Sequence, residues 1–294
     1  MIAFADNSTR QAVWNMWKEV FGDSDEYMQL YFRTKYSNDN TLLRLVEGVP
    51  VASLQMLPFG FTFCGREIPV SYLSGVSTLE AHRKRGYMDE LMVRSMEVAH
   101  ERQIPMMLLV PQEEWLLRFY DKYGFAQTFD PGDKEMTLLG DMKELIETDP
   151  KAAYRKFDAV FRNRDVTIQK TFEDFCAVTE EGKLFGYPSK RSLIGMARVI
   201  DAEYLLSVFA SYYSDISFCL RVNDPILAHN NACFCIDNGV VRRRECDSDG
   251  AFQFFEVDIN MLARLLLGYH TEGLTTDLSA LFPEKTPGIH YMME

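Results

Sequence analysis

A basic excess is missing from this sequence. Lys and Arg number 31 against 43 Asp and Glu, for a formal net charge of -12. That balance argues against a general nucleic-acid binder. It is compatible with a cationic substrate, because acidic clefts concentrate cations. Long apolar runs are missing too. None approaches the ~20 residues that span a bilayer, so membrane insertion is not expected. The opening stretch MIAFADNSTRQ has neither the basic start nor the apolar core of a signal peptide. A reducing cytoplasm is therefore the expected compartment. The six cysteines include no CxxC pair and no Cys/His array with zinc spacing, so no metal is expected. Cys233 and Cys235 would share one face of a strand as small core residues. Internal repeats and low-complexity tracts are absent, which excludes a repeat architecture.

What is present is an ordinary globular composition. The chain has 294 residues, 47% apolar and 25% charged, enough for about two domains. A first helix is expected to be capped near Ser8, with Val13, Trp17, Val20 and Phe21 on one face and Gly22 as its stop. A second helix, from Asp23, carries Tyr27, Leu30 and Tyr31. The segments TLLRLVEG, VPVASLQMLPFGFTF and IPVSYLSGVST, separated by Glu47-Gly48 and CGRE, read as an antiparallel meander. From Gly86 the period becomes helical, with Leu91, Met92, Ser95, Met96 and Ala99 on one face. MMLLV is a short central strand, and EEWLLRFYDKYGF is a short helix ending at Gly124. The fold class is α/β: a mixed sheet with flanking helices over residues 1–140, a helical connector over 141–190, and an α+β domain over 191–294. In the last part Asn238-Gly239 marks a hairpin. Asp258 caps a helix with Ile259, Leu262, Ala263, Leu266 and Leu267 on one face. VRRRE reads as an exposed strand face.

One short stretch carries chemistry. In YLSGVSTLEAHRKRGYMDEL a buried strand turns at once into a helix through Arg83, Lys84, Arg85 and Gly86. The first N–H groups of a helix have no partner inside it, and the helix dipole adds positive character there. Several N–H groups converging on phosphate oxygens make such a turn an anion site. Glycine at 86 permits close approach, and the three basic side chains add charge. The turn fits a pyrophosphate.

Arg83-Lys84-Arg85-Gly86 resembles the R/Q-x-x-G-x-G/A signature of the GNAT acetyltransferases. GVSTLEAH before it and FYDKYGF after it resemble the rest of that family's central motif. The order of elements in residues 1–140 is similar to the GNAT fold. Met88 departs from the pattern, standing where the second small residue falls. The resemblance implies acetyl-CoA as co-substrate. It implies that the backbone of Val76, Ser77 and Thr78 lies along the pantetheine arm, and that N–H groups from Arg83 through Tyr87 to Met88 hold the pyrophosphate. It implies Tyr120 as the general acid that protonates the leaving thiolate, with Tyr123 as the alternative. Glu80, Glu113 and Glu114 sit on predicted loop edges and read as solvated.

MARVIDAEYLL, LRVNDPILAHNNACFCIDNG and FEVDINMLARLLLGYHTEGL resemble the sterol-carrier-protein-like domain of Eis-type acetyltransferases. In that group a second GNAT-like lobe lies between the two domains. Here residues 141–190 resemble only part of it. The resemblance implies the carboxylate of Glu294 as a base near the acceptor amine, a small-molecule amine acceptor, and self-association into a homo-oligomer. The expected function is N-acetyl transfer to a small cationic amine. The alternative is a non-catalytic acyl-CoA or lipid sensor.

Overall fold

In the computed structural model, residues 1–130, 138–187, 194–244, 252–274 and 276–293 are described. The chain starts with β1 (Ile2–Phe4), α1 (Arg10–Phe21) and α2 (Asp25–Thr34). Thr9, not Ser8, stands at the N-terminal cap position of α1, with no capping bond from its side chain. The reason is Asp6, whose carboxylate accepts from the N–H groups of Ser8 and Thr9 at 2.9 Å and organises the turn before it. Ser24 caps α2, its hydroxyl accepting from Tyr27 N–H at 3.2 Å. The expected meander follows as β2 (Thr41–Val46), β3 (Val49–Phe63) and β4 (Arg66–Thr78). The hairpin turns Glu47-Gly48, Cys64-Gly65 and Asn238-Gly239 have positive φ at both positions. That geometry matches the twist of the strands it joins.

Next come α3 (Tyr87–Glu101), β5 (Met106–Leu109), α4 (Trp115–Asp121) and β6 (Ala126–Phe129). The connector holds α5 (Leu138–Asp141), α6 (Lys143–Thr148), α7 (Pro150–Phe161), β7 (Thr167–Gln169) and α8 (Phe172–Phe185). The remainder comprises β8 (Gly195–Val199), α9 (Ala202–Tyr212), β9 (Phe218–Asn223), β10 (Ala232–Asp237), β11 (Val240–Arg244), β12 (Phe254–Asp258), α10 (Ile259–Leu267) and α11 (Thr276–Leu281).

The first sheet has the order β1-β2-β3-β4-β5-β8-β6, with β7 paired to the far end of β3. It therefore draws strands from all three expected segments. β8, from the segment read as the start of the last domain, runs antiparallel between β5 and β6. All five of its residues are buried. The second sheet has the order β11-β10-β9-β12. α10 packs on β6 and β8 of the first sheet as well as on β9 and β12 of the second. One apolar core consequently runs through both units, containing Phe61, Phe129, Phe209, Phe218 and Phe282. A second core lies on the opposite face of the first sheet, under α3 and α4, and contains Leu73, Met96, Leu109, Tyr120 and Phe125.

Cys233 and Cys235 are buried on one strand, as expected. Cys235 is also joined to Cys219, its direct partner on β9, in a disulfide that the spacing had not suggested. The arginines of β11 are exposed. No described helix is long and apolar enough to cross a membrane.

Candidate active site

The site begins where two parallel strands part. Pairing between β4 and β5 ends at Tyr72 and Leu108, yet β4 continues to Thr78. Along that extension Gly75 and Val76 lie opposite the single residue Leu54, between the pairs Gln55–Ser74 and Ser53–Ser77. This is a β-bulge. Gly75 has φ 58°, and a Cβ there would come within 2.4 Å of the Trp17 ring. Only glycine fits. Below the bulge, the buried Tyr31 hydroxyl lies 2.8 Å from Ser74 Oγ and 3.2 Å from Gln55 Oε1. Trp17 packs on the Tyr31 ring at 4.4 Å and donates from Nε1 to Asp23 at 2.7 Å. These contacts hold the bulge from the α1–α2 side.

Past the bulge, Leu79 N–H donates to Val51 O at 3.0 Å. Strand alternation then turns the main-chain groups of Thr78 to the opposite edge, the one facing the opening. Arg83 Nε reaches Thr78 O there at 3.2 Å. Ser77 is turned inward. It is buried, and its hydroxyl sits 3.1 Å from Ser53 Oγ.

In the basic turn Arg83, Lys84, Arg85 and Gly86 are all exposed. φ is positive at Lys84 (61°), negative at Arg85 and positive at Gly86 (77°). Alternation of hand along a turn is the pattern that can bring successive N–H groups together. The first main-chain bond of α3 is donated by Glu90 to Gly86 O at 3.1 Å, so the N–H groups of Tyr87, Met88 and Asp89 precede the helical ladder. Arg83 N–H is already bonded to Glu80 O at 3.2 Å. Of the residues singled out, Lys84 through Met88 are the ones left to present amides. Met88, the departure from the motif, packs its side chain against the second core. Its size does not obstruct the turn. Glu80, Glu113 and Glu114 are exposed.

The two candidate acids differ in environment. Tyr120 is buried in the core that also holds Leu73 and Leu109, which flank the opening. Burial raises its phenol above the ordinary range, and among the described residues its hydroxyl has no hydrogen-bond partner. Tyr123 donates to Asp89, which also accepts from Lys122 Nζ at 2.7 Å. Burial would lift the Asp89 carboxyl, but Lys122 and Tyr123 outweigh it and hold it below its usual value. Tyr123 thus ties the end of α4 to the first turn of α3.

The chain's last described residues come to the other side of the sheet. Gly288 N–H donates to Val166 O, and Ile168 N–H donates to Gly288 O, both at 2.9 Å. Tyr291, Met292 and Met293 are buried. Met292 Sδ lies 3.0 Å from Lys170 Nζ, which sits 4.7 Å above the Phe59 ring. Phe59 in turn packs edge-on against Tyr72, the last residue of β4 to pair with β5. Glu294 lies outside the described residues.

His290 stacks on Phe161 at 3.6 Å, and its Nε2 is enclosed without a partner. Burial first, then the nearby charges of Lys170 and Arg164, depress its pKa well below the ordinary value. Below about pH 6.5 the unfolded chain takes up a proton that folded His290 resists, so stability must fall as the pH falls. Denaturant midpoints compared at about pH 7.5 and about pH 5.5 should show that fall in the wild type and a smaller one in His290→Phe. Equal slopes would mean the tail does not enclose the ring.

Residues 2–128 match the family model for an acetyltransferase (GNAT) domain, and residues 206–281 match that for a sterol carrier protein domain. The chain carries a GNAT domain joined to a sterol carrier protein domain. Acyl transfer is the general chemistry of such a domain. The fold is shared, at low identity, with solved structures that include the following three. A GCN5-related N-acetyltransferase from Anabaena variabilis is 14% identical, with TM-score 0.69 and 98% of both chains covered. Eis1 from Mycobacterium abscessus is 14% identical, with TM-score 0.65 and 99% of both chains covered. A GCN5-related N-acetyltransferase from Kribbella flavida is 12% identical, with TM-score 0.66, covering 100% of this chain and 97% of its own. No curated protein matches the sequence. Among the described residues no group of three or more His, Cys, Asp or Glu is gathered to hold a metal ion.

The sequence reading missed a buried ion pair behind the turn that follows α4. Arg198 on β8 is fully buried and pairs with Asp224, both Asp224 oxygens lying 2.8 Å from Nη2. A signal was available. Arg198 interrupts an otherwise apolar strand, and a buried arginine requires a partner. Gly75 offered another, since glycine inside a strand often marks a bulge.

Proposed function

We propose that this protein is an N-acetyltransferase that moves the acetyl group of acetyl-CoA to an amine of a small, cationic acceptor. The observation that carries this reading is the coincidence of an unpaired β4 edge, an anion-binding turn and a buried phenol at one end of one sheet. The main-chain groups of Val76 and Thr78 pair with the pantetheine arm like an added strand, and Ser77 fixes their register through its buried hydroxyl. The N–H groups from Lys84 to Met88 take the pyrophosphate. The side chains of Arg83, Lys84 and Arg85 offset its charge.

The amine attacks the thioester carbonyl, which main-chain N–H groups polarise. As the C–N bond forms and the C–S bond breaks, Tyr120 gives its proton to the departing thiolate. The amine must lose a proton as well, and a carboxylate of Glu294 accepts it directly or through water. The burial of the tail up to Met293, on the Phe59 and Tyr72 side, supports that role. The net charge of -12 supports a cationic acceptor.

Two measurements test the proposal. Acetyl-CoA should release free thiol when a panel of polyamines is added. CoA should slow amide hydrogen exchange across residues 84–88. Tight CoA binding with no thiol released for any amine would leave an acyl-CoA sensor. Unchanged exchange at 84–88 would remove the pyrophosphate site.

A further inference from the structure

We infer that contacts from the C-terminal half of the chain hold the catalytic tyrosine in place, with Arg198 of β8 and Asn260 of α10 as positioning residues for Tyr120. This rests on the acyl-transfer reading above. α4, which carries Tyr120, has only 7 residues and no side-chain cap at its start. A helix that short has little stability of its own, and its last carbonyls lack intrahelical partners. Something outside α4 must fix its end.

The contacts come from the C-terminal half of the chain. Asn260, in the first turn of α10, donates from Nδ2 to Asp121 O at 3.1 Å and to Phe125 O at 3.0 Å. Arg198 donates from Nε to Tyr123 O at 2.7 Å. Both act on the turn that begins one residue after Tyr120. The turn's glycine is shaped to this contact. Gly124 has φ 83°, and a Cβ there would stand 2.7 Å from Arg198 Nε and 2.8 Å from Ile259 Cγ2.

Arg198 is itself bonded on its other nitrogens. Nη1 donates to Val199 O at 2.6 Å and Nη2 is bound by both Asp224 oxygens at 2.8 Å. Asp224 is held in turn by Leu227 N–H at 3.1 Å and Asn230 Nδ2 at 2.8 Å. An unbroken series of direct contacts therefore runs from the end of β9 to the turn behind the acid. The sterol carrier region, through Asn260 directly and through Asp224 by way of Arg198, braces the turn behind Tyr120.

A double-mutant cycle tests this. Asn260→Ala should lower kcat roughly tenfold, with the acetyl-CoA KM changed less than about twofold, because a displaced acid slows chemistry before it weakens binding. In a Tyr120→Phe background the same change should cost nothing further. Equal losses in both backgrounds would overturn the inference. A second readout is independent of turnover. With 3-fluorotyrosine incorporated, the Tyr120 fluorine resonance should move in Asn260→Ala and Arg198→Lys, while that of exposed Tyr204 stays put. A Tyr120 resonance unmoved in every folded variant would also overturn it. If Arg198→Lys does not fold, the half-buried Asn260 decides alone. A wild type without turnover, or a Tyr120→Phe variant at full rate, would count against the acyl-transfer reading instead, and the fluorine readout would still decide the brace.

Discussion

Tyr120→Phe is expected to slow acetyl transfer by roughly 10²–10⁴-fold, the usual contribution of a positioned acid, with acetyl-CoA binding retained. The environment of Tyr120 makes this a clean experiment. The residue is 6% exposed, and its hydroxyl bonds to no described residue. Removing that hydroxyl therefore leaves no buried partner unsatisfied and should change stability by less than about 1 kcal/mol. Tyr123→Phe is the control with the opposite logic, because it deprives Asp89 of a donor at the foot of α3. It should disturb CoA binding more than the chemical step. The pH profile adds a constraint. Burial raises the Tyr120 phenol above its ordinary value near 10, so the acid stays protonated throughout the usual assay range. An alkaline limb below about pH 10 must come from another group. Stopped-flow thiol release across pH, for both variants and wild type, checks all three statements.

Arg198→Met is expected to cost about 3–5 kcal/mol of folding stability, a large part of the ~5–15 kcal/mol that holds a domain together. The methionine would leave Asp224 buried and charged, and would strip the donors from Tyr123 O and Val199 O. Burial alone would raise the Asp224 carboxyl. Arg198, Asn230 and the Leu227 N–H outweigh it and hold it below the usual range. The sign follows from that. A carboxyl depressed in the folded state contributes stability that is present above its unfolded value, near 3.9, and is lost as the pH falls through the lower folded value. The wild type should therefore lose stability on acidification below about pH 4, and Arg198→Met should lose less there because its loss is already present at neutral pH. Denaturant melts at several pH values measure both effects. Arg198→Met combined with Asp224→Leu should recover much of the difference, since replacing both ions by apolar groups is often near neutral. A single variant as stable as wild type would show that the pair carries no structural weight.

Much of the fold was legible because it is encoded in short stretches. The hairpins at Glu47-Gly48 and Asn238-Gly239, the helix stop at Gly22 and the cap at Asp258 each depend on a few neighbouring residues, and each stands where the residue types place it. The basic turn is local only in part. The positive φ of Gly86 follows from its residue type, whereas that of Lys84 does not, because a side chain disfavours it. The Y-x-x-x-G-F spacing preferred Tyr120 over Tyr123, but their different environments were not legible, because both lie in one short stretch. What separates them is Asp89, 34 residues earlier, reaching Tyr123 alone.

The sequence by itself determined an α/β chain with a basic turn between a strand and a helix, a tyrosine motif after it and an α+β end. Only the tertiary structure decided which sheet β8 joins, which cysteine pairs with Cys219, and that the turn behind Tyr120 is held from the far half of the chain. The physical reason lies in the patterns. β8 is buried on both faces, so it shows no alternation that would assign it to one sheet over another. The partners of Arg198, Asn260 and Cys235 are selected by three-dimensional register, which no local periodicity records.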